Sequence, residues 1–292
     1  MSKAVGIVGV GNMGGAMAAR LLERGWRVRA CDLVADKVRA LVELAAEAAA
    51  TAADAAQGVH SLIVCVVDAA QAEDVLFGAH GAAPALAAGS AVLLCPTIAP
   101  ADTERLCRRL AGCGLAPIDA PMSGGPARAR EGTMSLMLAC ADAAHEANAS
   151  LLQDLSSRVI RVGTRPGDGA RTKLVNNLLA AVNLAGAAEA IALAERLGLD
   201  ASRTLDVIEQ SSGQSWIGSD RMRRAIAGDF APRAHVSLLH KDTRLALEVA
   251  DSAGFVPALG RIAHAAFVQA VAAGLADQDD AVLLQLLRGE AA

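Results

Sequence analysis

The sequence predicts an α/β fold, with a doubly wound, mainly parallel sheet in its first half and an all-α second half, on three observations. Short Val/Ile/Leu-rich runs alternate with Ala-rich helical stretches as far as about Gly163, the order expected of βαβ units. One run, Leu62-Ile63-Val64-Cys65-Val66-Val67, is apolar without a break, as a strand buried on both faces must be. After Gly163-Thr164-Arg165-Pro166-Gly167 the alternation stops and only helical patterns follow. Residues 1–164 are therefore expected to form one domain and residues 165–292 a second, packed against it with a cleft between them.

In chain order, the apolar runs place strands at Ala4–Val8, Arg27–Cys31, Ser61–Val67, Ala91–Cys95, Leu115–Asp119, Thr133–Cys140 and Val159–Val162. Between the first two, Met17, Leu21 and Leu22 share one helix face, and Gly25 follows where a helix C-cap glycine belongs. The second half reads as a long helix reaching about Leu197, a second opening at Asp200, and others over Ser219–Ala227, Val236–Ala253 and Pro257–Gly274. No repeat of fixed period interrupts this plan.

Composition narrows the function classes. Hydrophobic residues are 53% and charged residues 20% of the 292, enough apolar material for a sizeable core. Lys plus Arg number 27 against 31 Asp plus Glu with the signs interspersed, so no basic stripe suits a phosphate backbone and no nucleic-acid partner is expected. Aromatic residues are 2%, with no Tyr, which removes stacking platforms for bases. Mean hydropathy is +0.36, yet runs such as Ala91–Cys95 fall short of the roughly 20 apolar residues that a bilayer span needs. The longest Ala-rich stretch, Leu174–Leu197, is broken by Asn176, Asn177, Asn183, Glu189, Glu195 and Arg196, the pattern of a buried helix, so no membrane association is expected. A strand starting at Ala4 leaves no room for a signal peptide, which places the protein in the cytoplasm. The six Cys show no CxxC and no zinc spacing; neither a disulfide framework nor a metal site is expected. Large apolar faces on the Ala-rich helices are costly to expose, so a homodimer or homotetramer is expected.

Gly9-Val10-Gly11-Asn12-Met13-Gly14 fits G-x-G-x-x-G, preceded by a strand and followed by an amphipathic helix. In that context the first Gly allows a tight turn, the second admits a pyrophosphate to the backbone, and the third lets helix and strand pack closely, with the helix N-terminus facing the anion. The next strand ends at Asp32, where an acid accepts hydrogen bonds from the adenosine ribose and repels the 2′-phosphate of NADP, favouring NAD. Lys37 and Arg39 follow closely and soften that repulsion. The plainer alternatives are a glycine turn without ligand and a solvated strand-end acid. The first domain is thus read as a Rossmann-type NAD-binding domain.

Two further stretches carry candidate chemistry. Asp119-Ala120-Pro121-Met122-Ser123-Gly124-Gly125-Pro126 runs from a strand into a small-residue loop, whose hydroxyl and N–H groups suit a carboxylate, although the same residues also make an ordinary turn. The long helix begins Gly169-Ala170-Arg171-Thr172-Lys173-Leu174-Val175-Asn176-Asn177, with Lys173 and Asn177 on one face. A Lys held out of water loses its preference for the charged form and becomes useful for acid–base work; the alternative is a solvated Lys at a helix start.

Together these motifs, with Lys241-Asp242-Thr243-Arg244-Leu245-Ala246, resemble the β-hydroxyacid dehydrogenase family, over nearly the whole chain. Its members act on small acids such as 3-hydroxyisobutyrate, tartronate semialdehyde and L-threonate. The resemblance implies that Lys173 is the catalytic acid–base and that Ser123, Gly124, Gly125, Asn176, Asn177 and Lys241 contact a small hydroxy-acid substrate. It also implies an NAD site drawn from Gly9, Gly11, Asn12, Met13, Gly14, Asp32, Leu33, Val66, Val67, Thr97 and Lys241. Thr97 sits in a loop that carries Pro96 where Ser is usual. Val67-Asp68-Ala69-Ala70-Gln71, Gly213-Gln214-Ser215-Trp216 and Asp32-Leu33 look most like the L-threonate branch, whereas Asn176-Asn177 replaces the His-Gln of that branch. A non-catalytic dinucleotide module and imine reduction are the rival readings, and the presence of Lys173 opposes both.

Overall fold

Strand positions follow from burial. The computed structural model describes residues 3–290, and among them one sheet of nine strands forms. These are β1 (Ala4–Val8), β2 (Arg27–Cys31), β3 (Glu47–Ala48), β4 (Ser61–Val64), β5 (Ala91–Leu94), β6 (Ala116–Asp119), β7 (Met122–Ser123), β8 (Ser135–Ala139) and β9 (Arg158–Gly163). β1, β4 and β5 are buried at every residue, as continuous apolar runs require. Successive side chains alternate between two cores: Ile63 and Leu93 join Met17 and Leu21 on one face, while Leu62, Val64, Val92 and Leu94 join Leu106 and Leu110 on the other.

Pairing is parallel from β3 through β2, β1, β4 and β5 to β6. The chain winds outward from β1 one way and then from β4 the other, so a crevice opens beyond the C-terminal ends of β1 and β4, where ligands bind in such sheets. β8 turns back antiparallel, pairing Ala139 with Asp119 and then Leu136 with Met122 and Ser135 with Ser123. This is one ladder. It is interrupted only at Ala120-Pro121, where Pro121 has no N–H to give, although its carbonyl still accepts from Met137 N at 2.9 Å.

All seven predicted strands form, β1 and β2 at the predicted bounds and the other five with shifts at their ends. The predicted strand Ser61–Val67 stops at Val64 because the chain turns there into helix Ala69–Phe77, which Asp68 caps by accepting from Gln71 N at 2.8 Å. The two short strands β3 and β7 were not expected from the apolar pattern.

The second half is helical among the described residues. Helices span Asp168–Arg196, Ala201–Glu209, Trp216–Ile226, Val236–Ser252, Ala258–Ala272 and Leu283–Arg288. Asp200 caps the second of these by accepting from Arg203 N at 2.7 Å. Leu184, Ile191, Leu205, Met222 and Phe267 form its core. Two compact units meet between Lys173 and Leu174, inside the long helix, whereas the sequence pattern changes at residues 163–167. The first turns of the helix belong to the sheet unit because Gly167 and Ala170 bond to Asp119 of β6. The long helix has the length and composition of a membrane span, but Ala170 and Leu174 near its start and Ala181, Leu184, Ala188 and Ile191 further along are buried within the protein.

A buried charge cluster fixes the end of the helical unit. Arg221 Nε donates to Asp280 Oδ1 at 2.5 Å and Arg224 Nη2 to Asp279 Oδ1 at 2.9 Å. Asp279 and Asp280 are fully buried. Arg221 also donates to Asp220 Oδ2 at 2.5 Å, so Asp280→Ala leaves the buried guanidinium with one carboxylate instead of two and should destabilise the protein by about 3 kcal/mol, read as a lowered urea midpoint; an unchanged midpoint would show that Asp220 alone satisfies Arg221.

Candidate active site

The glycine loop follows β1. Gly9 has φ +88, and a Cβ there would lie 2.4 Å from Cys65 O; a Cβ on Gly14 would lie 1.9 Å from Gly9 O. Both positions admit only hydrogen, the first for the turn and the second for helix–strand contact. Gly11 differs, since an added Cβ would meet nothing nearer than Lys37 Nζ at 3.9 Å. The open side of Gly11 is a cradle that a Cβ would fill. Helix Asn12–Glu23 starts there without a side-chain cap and without an acid in its first turn, so its leading N–H groups suit an anion. The loop therefore fits the pyrophosphate of a dinucleotide.

The other cofactor candidates follow the ends of successive strands. Asp32, just beyond β2, accepts from Val10 N at 2.8 Å through Oδ2 and from Val34 N at 2.9 Å through Oδ1. Its carboxylate is thus fixed against the glycine loop, with Lys37 Nζ 4.0 Å from Oδ1. Arg39 is engaged elsewhere, paired with Asp36. Leu33 is fully exposed and Val67 half-exposed, and Val67 N donates to Gln71 Oε1 at 2.9 Å. Val66 Cγ1 stands 3.2 Å from where a Gly9 Cβ would be. Asn12 and Met13 open the loop helix, and Thr97 lies in the loop after β5.

β6 and β7 carry the next group. Asp119, 2% exposed at the end of β6, accepts through Oδ2 from Gly167 N at 3.0 Å and Ala170 N at 3.2 Å. Burial raises its pKa to about 6, against the pull of the Ala170, Gly167 and Gly169 N–H groups, while the Asp168 carboxylate adds to the rise. The helix so gripped carries Lys173 as its sixth residue, and that side chain is buried at 8% exposure. Ser123, on β7, pairs with Ser135, and Gly124 and Gly125 follow with φ +128 and +74.

In the helical unit a polar chain runs between two helices. Asn176 Nδ2 donates to Asn177 Oδ1 at 3.0 Å, Asn177 Nδ2 to Asp242 Oδ2 at 2.6 Å, and Lys241 Nζ lies 2.8 Å from Asp242 Oδ1. Asn177 and Asp242 are both buried, so the ion pair and the amide hold each other in place. His240 stacks on His264 with ring centroids 5.3 Å apart, and Thr243 Oγ1 lies 2.7 Å from His264 Nδ1, a packing arrangement. Asp119 and Asp242 lie in the sequence motifs without an expected role of their own. Their signal was an acid closing an apolar strand and an acid directly after Lys241.

Residues 4–163 match the family described as the NAD binding domain of 6-phosphogluconate dehydrogenase. Residues 167–287 match that described as NAD-binding of NADP-dependent 3-hydroxyisobutyrate dehydrogenase. An L-threonate dehydrogenase of Cupriavidus necator is 37% identical over 99% of this chain and 97% of its own length. Another from Escherichia coli strain K12 is also 37% identical, over 98% and 95%. The crystal structure of a 3-hydroxyisobutyrate dehydrogenase from Salmonella typhimurium superposes with a TM-score of 0.91 at 36% identity, covering 97% of this chain and 99% of that one.

The raised pKa of Asp119 has a stability consequence. A folded-state pKa of about 6 against the ordinary aspartate value of 3.8 means that the folded state holds this proton more tightly than the unfolded state. Stability from this group is therefore lost as pH rises between those values. Relative to Asp119→Asn, the parent should lose up to about 3 kcal/mol of unfolding free energy as pH rises from about 4 to about 6.5, measured by urea denaturation. A difference that is flat with pH would contradict the burial effect.

Proposed function

Since the chain belongs to the β-hydroxyacid dehydrogenase family of NAD-dependent oxidoreductases, we propose that it oxidises L-threonate with NAD, using Lys173 as the acid–base. The observation that carries the chemistry is Lys173 itself, a buried lysine on a helix whose start is bonded to the end of β6. For the substrate, the support is 37% identity to L-threonate dehydrogenases over nearly the whole chain.

In this reading the Gly9–Gly14 loop and the first turn of its helix bind the pyrophosphate, and Asp32, Leu33, Val66, Val67 and Thr97 surround the rest of the cofactor. Bound NAD supplies the hydride acceptor. Ser123 and the N–H groups of Gly124 and Gly125 hold the substrate carboxylate, which turns an encounter into an oriented transfer. Neutral Lys173 takes the hydroxyl proton as the carbonyl forms, and in reverse its ammonium returns that proton to the alkoxide. Asn177, held by Asp242, and Asn176 orient the substrate, and Lys241 adds a positive charge beside them. The product is a 2-oxo or 3-oxo acid, according to which carbinol hydrogen is presented.

The Salmonella structure, named for 3-hydroxyisobutyrate at 36% identity, supports a second reading with the same residues and a different acid. Residues 1–164 serve as the cofactor domain and 165–292 as the substrate and assembly domain. A homodimer or homotetramer is supported by large exposed apolar side chains on the helical unit, among them Val175, Leu179, Leu193, Phe255, Leu259 and Ile262. The protein is taken to work in the cytoplasm without membrane or nucleic-acid partners, as its composition suggests.

Initial rates with L-threonate, D-threonate, 3-hydroxyisobutyrate, D-glycerate and L-serine, each with NAD and NADP, test the substrate. The highest kcat/KM should fall to L-threonate with NAD; a winning 3-hydroxyisobutyrate would leave the chemistry and transfer the substrate to the second reading. Lys173→Ala should lower kcat by about 100- to 10,000-fold with the NADH Kd nearly unchanged, and lost cofactor binding would contradict the role. Asp32→Ala should relax the preference toward NADP, because Lys37 then faces the 2′-phosphate without a competing acid; unchanged selectivity would remove the ribose contact.

A further inference from the structure

We propose that Asp119 is a positioning residue for the reaction: through the N–H groups of Gly167 and Ala170 it fixes the start of the Lys173 helix to the end of β6, and so sets where the lysine stands. The proposal rests on the reading of Lys173 as the acid–base.

Four observations support it. The anchor is rigid, because Asp119 pairs with Leu94 of β5 on one side and Ala139 of β8 on the other. Both hydrogen bonds fall on one oxygen of a carboxylate that is 2% exposed, where few other partners compete. The helix start is shaped for that carboxylate: a Cβ on Gly169 would lie 2.8 Å from Asp119 Cγ and Oδ1, and Gly167 has φ +90, so side chains at those positions are excluded or strained. The nearer acid, Asp168, is turned away to Arg165 at 2.8 Å and Arg171 at 3.3 Å, leaving the first turn to Asp119. Negative charge at a helix N-terminus is favourable as well as geometrically fitting.

Lys173 lies about one turn beyond Gly169, some 6 Å along the axis. A helix transmits a displacement of its start with little loss over one turn, and a shift near 1 Å at a reacting group costs on the order of 100-fold in rate. Loss of this anchor therefore acts on kcat more than on binding of either ligand.

The experiment compares full-length parent, Asp119→Ala, Asp119→Asn, Gly169→Ala and Lys173→Ala. Its readouts are kcat and KM for L-threonate with NAD, NADH Kd by fluorescence, and amide hydrogen exchange over residues 167–173. Asp119→Ala should lose about 100-fold in kcat with KM and NADH Kd within about threefold, and its helix-start amides should exchange faster. Asp119→Asn keeps an acceptor oxygen and should recover to within about tenfold of the parent. If Asp119→Ala does not fold, Gly169→Ala carries the test, since it pushes the helix from an intact carboxylate: a matching loss of kcat supports the proposal and a parental kcat overturns it. An Asp119→Ala kcat within twofold of the parent, or an Asn variant as impaired as the Ala variant, overturns it too. Lys173→Ala separates the two failures. If that variant is as active as the parent, the catalytic reading falls and the proposal with it; if it is inactive while Asp119→Ala is fully active, only the proposal falls.

Discussion

A buried carboxylate at the end of β6 joins the sheet to the longest helix of the protein, and the arrangement around Lys173 depends on that junction. At 2% exposure Asp119 is out of water, and the backbone N–H groups and the positive end of the helix offset only part of the cost of its charge. Two glycines follow from the same contact, Gly167 with a positive φ and Gly169 with no room for a Cβ. A short stretch of sequence is thereby tied to one partner 48 residues away, and the first turn of the helix is fixed to the end of β6.

The glycine loop and Asp32 lie at the C-terminal ends of β1 and β2. Gly9 and Gly14 are set by contacts within the chain, whereas Gly11 faces open space at an uncapped helix start. Asp32 is held by two backbone N–H groups, so its carboxylate is fixed against the glycine loop. In the helical unit the solution differs: Asn177 is fixed by Asp242, which is fixed in turn by Lys241. Asp32 is thus held by backbone N–H groups and Asn177 by a buried carboxylate.

Much of the fold was legible because it rests on periodicity. The apolar strands, the glycine loop with its flanking strand and helix, and the Asp200 cap are local patterns, and each appears where the pattern predicts, apart from the ends of five strands. What the sequence concealed depends on pairing across the fold. β7 is only two residues long and escapes the apolar count because Pro121 breaks the ladder before it. Helix Leu283–Arg288 is too short to establish a face by period. The passage from sheet unit to helical unit lies at Lys173 rather than at the change of pattern, because a tertiary bond to Asp119 holds the first turns back. Lys173, Ser123 and Asn177 could be named from motifs; the acids that orient the helix and the amide could not, since their partners lie 48 and 65 residues away.

The central claim, that Lys173 moves the hydroxyl proton, is tested most directly by amine rescue of Lys173→Ala. The missing side chain is a buried one, so its removal leaves room for a small primary amine near the reacting hydroxyl. Oxidation of L-threonate by the variant should rise with added methylamine or ethylamine, and across a series of amines of similar size it should rise with basicity. A variant whose rate is parental without amine would contradict the account.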